Sequence, residues 1–343
     1  MTNLSPLVSV VIPTYNRPVY LKQAIESACQ QTYSNLEIIV ADDCSPESPE
    51  ELVRSFNDPR IRFIRHPKNL GNGDNIAKAF QLARGKYVAP LNDDDIWESK
   101  FIEKLLSPLE KNSNLIAAFC NYHIVDDNGL INVSMTQKSD KKWRRNNLEE
   151  GIYVPFYQQG LIDKSFWASS YVVFRKEEVD WSELESIGPF WDYFLVYLLC
   201  RNGKGAYYCP DKLARYRVHA ASEHKTNGRT NPEGKIRKSI SSIRICKKFL
   251  ADERLKLHWP YFHKHLALRY TSVGIGLIWL GQEKAARPYF RSSLRQNPFS
   301  TRTAFSMLLS YLPHSLLSIL GLVVKEENLN DLNCLLGLKS ISI

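Results

Sequence analysis

The chain has 343 residues, which suggests one large α/β domain with an extension, or two domains, and with 44% hydrophobic and 11% aromatic residues disorder is not the default reading. A formal net charge of +9 favours an anionic partner, whether phosphate, nucleic acid or an acidic membrane surface. Seven cysteines with no CxxC spacing argue against a zinc ribbon and a disulfide framework, and favour reduced thiols in a cytoplasmic protein.

Met1 to Pro6 shows no basic flank followed by an apolar run, so no signal peptide is expected there. Val8 to Ile12 is a continuous β-branched run, as in a strand buried on both faces, and Pro13 ends it. Leu21, Ala24, Ile25 and Ala28 recur at helical spacing. Leu36 to Val40 is the second strand and Ile61 to Ile64 the third. Gly73 to Ala83 reads as a helix with Gly85 at its C-terminal cap. Tyr87 to Leu91, helix Glu98 to Lys111 and strand Ile116 to Asn121 follow. This alternation implies a mostly parallel central sheet with helices on both faces, whose ligands bind at the carboxyl ends of the strands. Thr14-Tyr15-Asn16, Asp42-Asp43 and Asn92 to Asp95 follow three such ends, so they are expected to meet in one crevice.

Beyond Asn121 the pattern changes. Asp127-Asn128-Gly129 is a tight-turn signal, and the polar, basic Lys138 to Arg145 reads as a mobile loop. Tyr171 to Phe174 and Ala206 to Cys209 read as strands, and Phe190 to Arg201 as a helix stopped by Asn202-Gly203. From about Lys225 the chain reads as wholly helical, which divides it into residues 1–225 and a helical extension, 226–343. Gly281 to Pro298 resembles a single helical-hairpin unit of the tetratricopeptide kind, without a second copy. Thr303 to Val324 lacks Asp, Glu, Lys and Arg and is long enough for a span, but Pro313 favours two short helices, buried or lying in a membrane interface.

Asp93, Asp94 and Asp95 repel one another unless a cation relieves them. Mg²⁺ and Mn²⁺ prefer such hard oxygen ligands, shared with a substrate diphosphate. In isolation the same triplet could be an acidic turn or helix cap. Asp42-Asp43 can accept hydrogen bonds from a uracil or a ribose, or can simply form a turn. Asp192, among Phe190, Trp191, Tyr193 and Phe194, is a candidate general base; the alternative is a charge favourable to a helix N-terminus. Tyr216-Arg217-Val218-His219 offers a phosphate-binding Arg and a metal-binding His, or a solvated basic loop. Lys212 to Lys256 holds thirteen basic residues against four acidic ones (Glu223, Glu233, Asp252, Glu253), which suits either a solvated helical face or an anionic lipid surface. No helix-turn-helix, zinc finger or aromatic RNA-binding signature supports nucleic acid as a partner.

Five ordered segments together resemble the inverting family-2 glycosyltransferases: Val8 to Asn16; Gln30 to Tyr33 with Glu37 to Ser45; Asn69 to Gly71 with Ala83 to Asp95; Phe190 to Asp192; and Tyr216 to His219. The resemblance implies an A-type glycosyltransferase fold, a nucleotide-diphosphate sugar donor (a UDP-sugar) and a divalent cation, Mn²⁺ or Mg²⁺. It implies that Pro13, Thr14, Tyr15, Asn16, Asp43, Asn69, Asn92, Asp93 and Arg217 hold the donor. Asp94, Asp95 and His219 would hold the metal, and Asp192 would be the catalytic base. Many relatives carry Asp where this chain has Asn92. The acceptor implied is a glycan or lipid-linked saccharide, in surface polysaccharide or glycolipid synthesis at the inner face of the plasma membrane. The alternative is a non-catalytic sugar-nucleotide or glycan-binding module with a helical adaptor tail.

Overall fold

The computed structural model describes residues 5–219 and 231–320, apart from the side chain of Ser318. The chain forms two compact units, Met1–His219 and Ala220–Ile343. The boundary expected between 225 and 226 lies outside the described residues, as do Cys334 and the end of the Thr303 to Val324 segment.

The first unit is built on a nine-stranded sheet. In chain order its elements are β1 (Val8–Thr14), α1 (Pro18–Cys29), β2 (Leu36–Asp42), α2 (Glu50–Arg54), β3 (Ile61–Arg65), α3 (Asn72–Leu82), β4 (Tyr87–Pro90) and β5 (Ile96–Trp97). Then come α4 (Phe101–Lys111), β6 (Leu115–Val125), α5 (Val133–Lys142), β7 (Gly151–Tyr153), β8 (Val172–Arg175), α6 (Trp191–Cys200) and β9 (Gly205–Arg217). The strand order is β3-β2-β1-β4-β8-β6-β9-β5, with β7 beside β9. β3, β2, β1 and β4 pair in parallel, and so do β6 and β9. β8 runs antiparallel to both neighbours, and β5 and β7 run antiparallel to β9, so the α/β sheet is mixed.

Every residue of β1 and of β2 is buried, as continuous apolar strands under helices on both faces require. α4 buries Phe101, Ile102, Leu105, Leu106 and Leu109 on one stripe, each contributing roughly 1.5–3 kcal/mol of apolar burial. Pro18 at the first position of α1 supplies the helical φ there without wasting a backbone donor.

Three local readings change. Ala83, not Gly85, caps α3; at Gly85 a Cβ would stand 2.7 Å from the Ser9 amide, so glycine is needed for the close approach of this turn to β1. Part of Lys138 to Arg145 is the end of α5, capped at its start by the Asn132 side chain, and not a loop. Arg145 is buried, bonded to Asn121 and Asp140 and stacked over Tyr122. The strand expected over Ala206 to Cys209 extends to Arg217. The Asp127-Asn128-Gly129 turn is present, with Gly129 at φ 83.

The second unit is helical where it is described: α7 (Pro232–Leu250), α8 (Trp259–Trp279), α9 (Glu283–Gln296), α10 (Thr301–Leu309) and α11 (His314–Ile319). Ile236, Ile243, Leu266, Val273, Leu277, Ala286, Phe290 and Leu317 form its core. Gly274 makes the room for Phe290, since a Cβ there would lie 2.5 Å from the ring. The Gly281 to Pro298 segment is a single helix, α9, rather than a hairpin in itself, and it packs against α8. Pro313 separates α10 from α11, and among the described residues no helix is long and apolar enough to cross a membrane. No disulfide links the described cysteines.

Candidate active site

The carboxyl ends of β1, β2 and β4 lie side by side in the sheet, which brings Thr14-Tyr15-Asn16, Asp42-Asp43 and Asn92 to Asp95 to one edge. Thr14 Oγ1 donates to Asp93 Oδ2 at 2.8 Å, and the Tyr15 amide reaches the same oxygen at 3.4 Å. Asn16 adopts φ 56, and its amide donates to Ser45 Oγ at 2.8 Å. Pro13 is buried in β1, while the Tyr15 ring is half exposed over the edge. Asp42 is fully buried against Ser45 and Arg65, so it braces the loop. Asp43 accepts from the Leu70 and Gly71 amides at 2.7 and 2.8 Å, and Asn69 Oδ1 accepts from Gly71 as well. Burial raises the Asp43 carboxyl above its ordinary range, opposed by those two amides.

The three aspartates after β4 have separate surroundings. Asp93 is buried and pairs with Arg17 Nη1 at 3.1 Å; burial, then the neighbouring Asp94, pushes it up to about 6. Asp94 is the most exposed of the three. Its Oδ2 lies 2.9 Å from Arg17 Nη1 and 3.1 Å from His219 Nε2. Asp95 is turned into the protein, where it accepts from Ser170 Oγ at 2.6 Å, Tyr171 OH at 3.2 Å and the Arg217 amide at 3.1 Å. Burial, then Asp94, raises it to about 8. The Asn92 amide donates to the same Ser170 hydroxyl.

Two expected roles are therefore corrected. Asp95 does not face the crevice as a metal ligand, because its oxygens are engaged inside the fold. Arg217 does not present a free fork to a phosphate. It is buried over the Tyr20 ring, with Nε on the Asp94 carbonyl at 3.0 Å, Nη1 on the Asp126 and Asp127 carbonyls and Nη2 on Gln23. Both residues hold the Asp94 loop in place.

Asp192 begins α6, half-buried, with the Tyr193 amide on its Oδ1 at 2.7 Å. Burial, then the charges of Asp95, Asp94, Tyr122 and Asp192, push the Tyr216 hydroxyl well above its ordinary range. α3 fixes that region: the Ser186 amide donates to Asp74 Oδ1 at 2.7 Å, and Gly73 packs on the Gly188 backbone.

Sequence reasoning passed over Arg17, Gln23 and Ser170. Arg17 directly follows the Thr14 to Asn16 loop, and that adjacency was the available signal. Ser170 and Gln23 carry no signal of their own. Among the described residues no three His, Cys, Asp or Glu side chains gather as a ready metal cage. Asp94 and His219 nevertheless supply an oxygen and a nitrogen side by side. That set suits Mn²⁺ or Mg²⁺, which commonly take one or two protein ligands and fill the rest with substrate phosphate and water.

The sequence profile of the family described as "Glycosyl transferase family 2" matches residues 9–168. An uncharacterized glycosyltransferase of Rickettsia prowazekii is 30% identical over 224 residues, 65% of this chain and 67% of that protein. The chain belongs to glycosyl transferase family 2. An uncharacterized glycosyltransferase of Methanocaldococcus jannaschii is 42% identical to this family-2 chain over 130 residues, 37% of the chain and 45% of the relative. The Escherichia coli UDP-Glc:α-D-GlcNAc-diphosphoundecaprenol β-1,3-glucosyltransferase WfgD is 33% identical over 125 residues, 36% of this glycosyltransferase and 49% of WfgD. Among solved structures, S. aureus TarS 1-349 in complex with UDP-GlcNAc superposes with a TM-score of 0.62 at 14% identity, covering 94% of each chain. The Pyrobaculum calidifontis mannosyltransferase PcManGT, solved with GDP-Man and Mn²⁺, gives 0.53 at 15% identity over 92% of this chain and 88% of its own. At such identities the likeness establishes a shared fold.

Proposed function

We propose that this glycosyltransferase moves a sugar from a nucleotide-diphosphate donor, a UDP-sugar, to an acceptor hydroxyl with inversion at the anomeric carbon. The observation that carries the reading is the Asp94–His219 pair at the strand-end crevice, beside loops already held by Asp43 and Asp93. UDP-GlcNAc in the TarS complex and the UDP-Glc donor in the name of WfgD favour a uridine nucleotide. The name of WfgD also favours a diphosphate-lipid-linked acceptor in surface polysaccharide synthesis. The same comparisons suit residence at the inner face of the plasma membrane.

In this reading Pro13 to Asn16, Asp43 and Asn69 form the nucleoside wall, and Asn92 and Asp93 face the ribose or donor sugar. Asp94 and His219 would hold a divalent cation, which when bound supplies Lewis-acid relief of diphosphate charge. Asp192 orients the acceptor hydroxyl and takes its proton on a carboxylate oxygen. The acceptor oxygen forms its bond to the anomeric carbon as the bond to the diphosphate oxygen breaks. The electron pair leaves with the nucleoside diphosphate.

The test is donor consumption with a lipid-linked saccharide acceptor. Wild type is expected to release UDP and extend the acceptor, and Asp192→Asn to bind donor without transfer. Near wild-type transfer in Asp192→Asn would remove Asp192 from this role. Donor binding without turnover by wild type, with any acceptor tried, would favour the binding-module alternative.

A further inference from the structure

α5 is nearly all surface: of its ten residues only Thr136 is buried. Thr136 Oγ1 accepts from the Ile124 amide at 2.9 Å and donates to the Asn132 carbonyl at 2.8 Å, which fixes the start of the helix against β6. The one acidic residue of α5, Asp140, shares that inner face with Thr136 at i, i+4, and pairs with Arg145 at 3.1 Å and Lys212 at 3.3 Å. Lys138, Lys141 and Lys142 are exposed, and their i, i+3, i+4 spacing puts them together on the opposite face. The helix therefore shows three lysines and no carboxylate to the outside.

Four exposed apolar residues stand at its start: Leu130 at 68%, Val133 at 60%, Ile131 at 45% and Met135 at 38%. Their backbone is held. The Asn132 amide donates to the Ile124 carbonyl at 2.8 Å and the Asp126 amide to the Leu130 carbonyl at 3.0 Å, around a bridge between Val125 and Ile131. Arg217 Nη1 donates to the Asp126 and Asp127 carbonyls at 3.2 and 2.7 Å, and Nε of the same guanidinium donates to the Asp94 carbonyl at 3.0 Å. One guanidinium thus joins the root of the apolar tip to the Asp94 loop.

A contiguous exposed apolar tip marks a surface that something covers. A second copy of the chain would set these lysines against their own like charge. Nucleic acid would pair with the lysines and leave the tip in water. An anionic bilayer offers both partners at once, phosphates at the surface and hydrocarbon just beneath.

We propose that residues 130–142 are an interfacial anchor: Leu130, Ile131, Val133 and Met135 enter the headgroup layer of an anionic bilayer, while Lys138, Lys141 and Lys142 pair with its phosphates. The crevice is thereby held at the surface where a lipid-linked acceptor is presented. That consequence rests on the transferase reading above; the anchor itself does not.

Sedimentation of the full chain with mixed phosphatidylglycerol–phosphatidylcholine vesicles, and with phosphatidylcholine vesicles alone, tests the anchor. Wild type is expected to bind the anionic vesicles much more tightly than the neutral ones. Lys138→Gln/Lys141→Gln/Lys142→Gln is expected to weaken anionic binding by roughly tenfold or more, since each lysine near such a surface contributes about fivefold. Leu130→Glu/Val133→Glu is expected to weaken binding to both kinds of vesicle. Both variants should keep the UDP affinity of wild type. They should slow transfer to an acceptor carried in anionic vesicles and leave transfer to a short-chain, water-soluble acceptor unchanged. Unaltered vesicle affinity in either variant, or no binding of wild type to anionic vesicles, would overturn the anchor. A wild-type dimer that Leu130→Glu/Val133→Glu splits, with vesicle binding unaltered, would overturn it in favour of a second copy. Vesicle binding lost as expected in both variants, with no transfer by wild type to either acceptor, would uphold the anchor and overturn the transferase reading.

Discussion

Asp93, Asp94 and Asp95 are chemically identical neighbours in three different environments. Asp95 is enclosed by Ser170, Tyr171 and the Arg217 amide, and Asp93 by Thr14 and Arg17, while Asp94 is left at the edge with His219. The side-chain type and the strand-end position were legible in the sequence. Which carboxylate faces outward was not, because it depends on donors from residues 14 to 217, far away along the chain. Arg217 illustrates the same limit: its charge suggested a phosphate, whereas burial commits it to four backbone and side-chain acceptors. At Asp192, Asn preserves shape and hydrogen bonding to the Tyr193 amide but cannot take a proton. Transfer is expected to fall by about 10²–10⁴-fold in Asp192→Asn with donor affinity retained, measured by initial rates and by UDP titration.

Among the elements, α3 links the 69–71 loop held by Asp43 to the segment that leads into α6. Gly73 lies in its first turn, where a Cβ would stand 2.5 Å from the Gly188 carbonyl oxygen. Helix propensity alone would favour alanine there by up to about 1 kcal/mol. The clash is with backbone, which cannot rotate away, and overpacking typically costs about 1–3 kcal/mol. Gly73→Ala is therefore expected to lower the melting temperature and, by shifting the 186–192 segment, to reduce transfer more than UDP binding. A variant as stable as wild type, with unchanged kinetics, would show that this contact does not position Asp192. The buried strands β1, β2 and β4 were legible as continuous apolar runs. β9 was mostly missed because Pro210, Asp211 and Lys212 interrupt its pattern, and its pairing with β6 shifts register between Cys120 and Tyr122. α5 was missed because its polar composition hides a helix held by its cap, by buried Thr136 and by Ser139 and Asp140 on Arg145.

At the scale of the whole molecule, the α/β unit was legible because alternating strand and helix signals left polar residues at three strand ends bound for one edge, while the helical unit carries no such pattern. From Lys284 to Leu320 there are five basic residues (Lys284, Arg287, Arg291, Arg295, Arg302) and no acidic one. Over the same stretch Phe299, Phe305, Leu308, Tyr311, Ile319 and Leu320 are exposed. Aromatic and aliphatic side chains amid uncompensated positive charge suit the interface of an anionic bilayer. Phe299→Glu/Phe305→Glu is expected to lose sedimentation with phosphatidylglycerol vesicles while keeping UDP binding. Equal binding of wild type and variant to vesicles, or none by either, would count against this face.

The central claim is that Asp94, aided by His219, couples a cation to a nucleoside diphosphate in the strand-end crevice. Titration of UDP into wild type and Asp94→Ala, each with Mn²⁺ and again with excess EDTA, tests it most directly. Wild type should lose at least tenfold in affinity when the metal is chelated, and Asp94→Ala should bind weakly and equally in both conditions. Wild-type UDP affinity that ignores chelation, or an Asp94→Ala chain that keeps full Mn²⁺-dependent binding, would contradict the account.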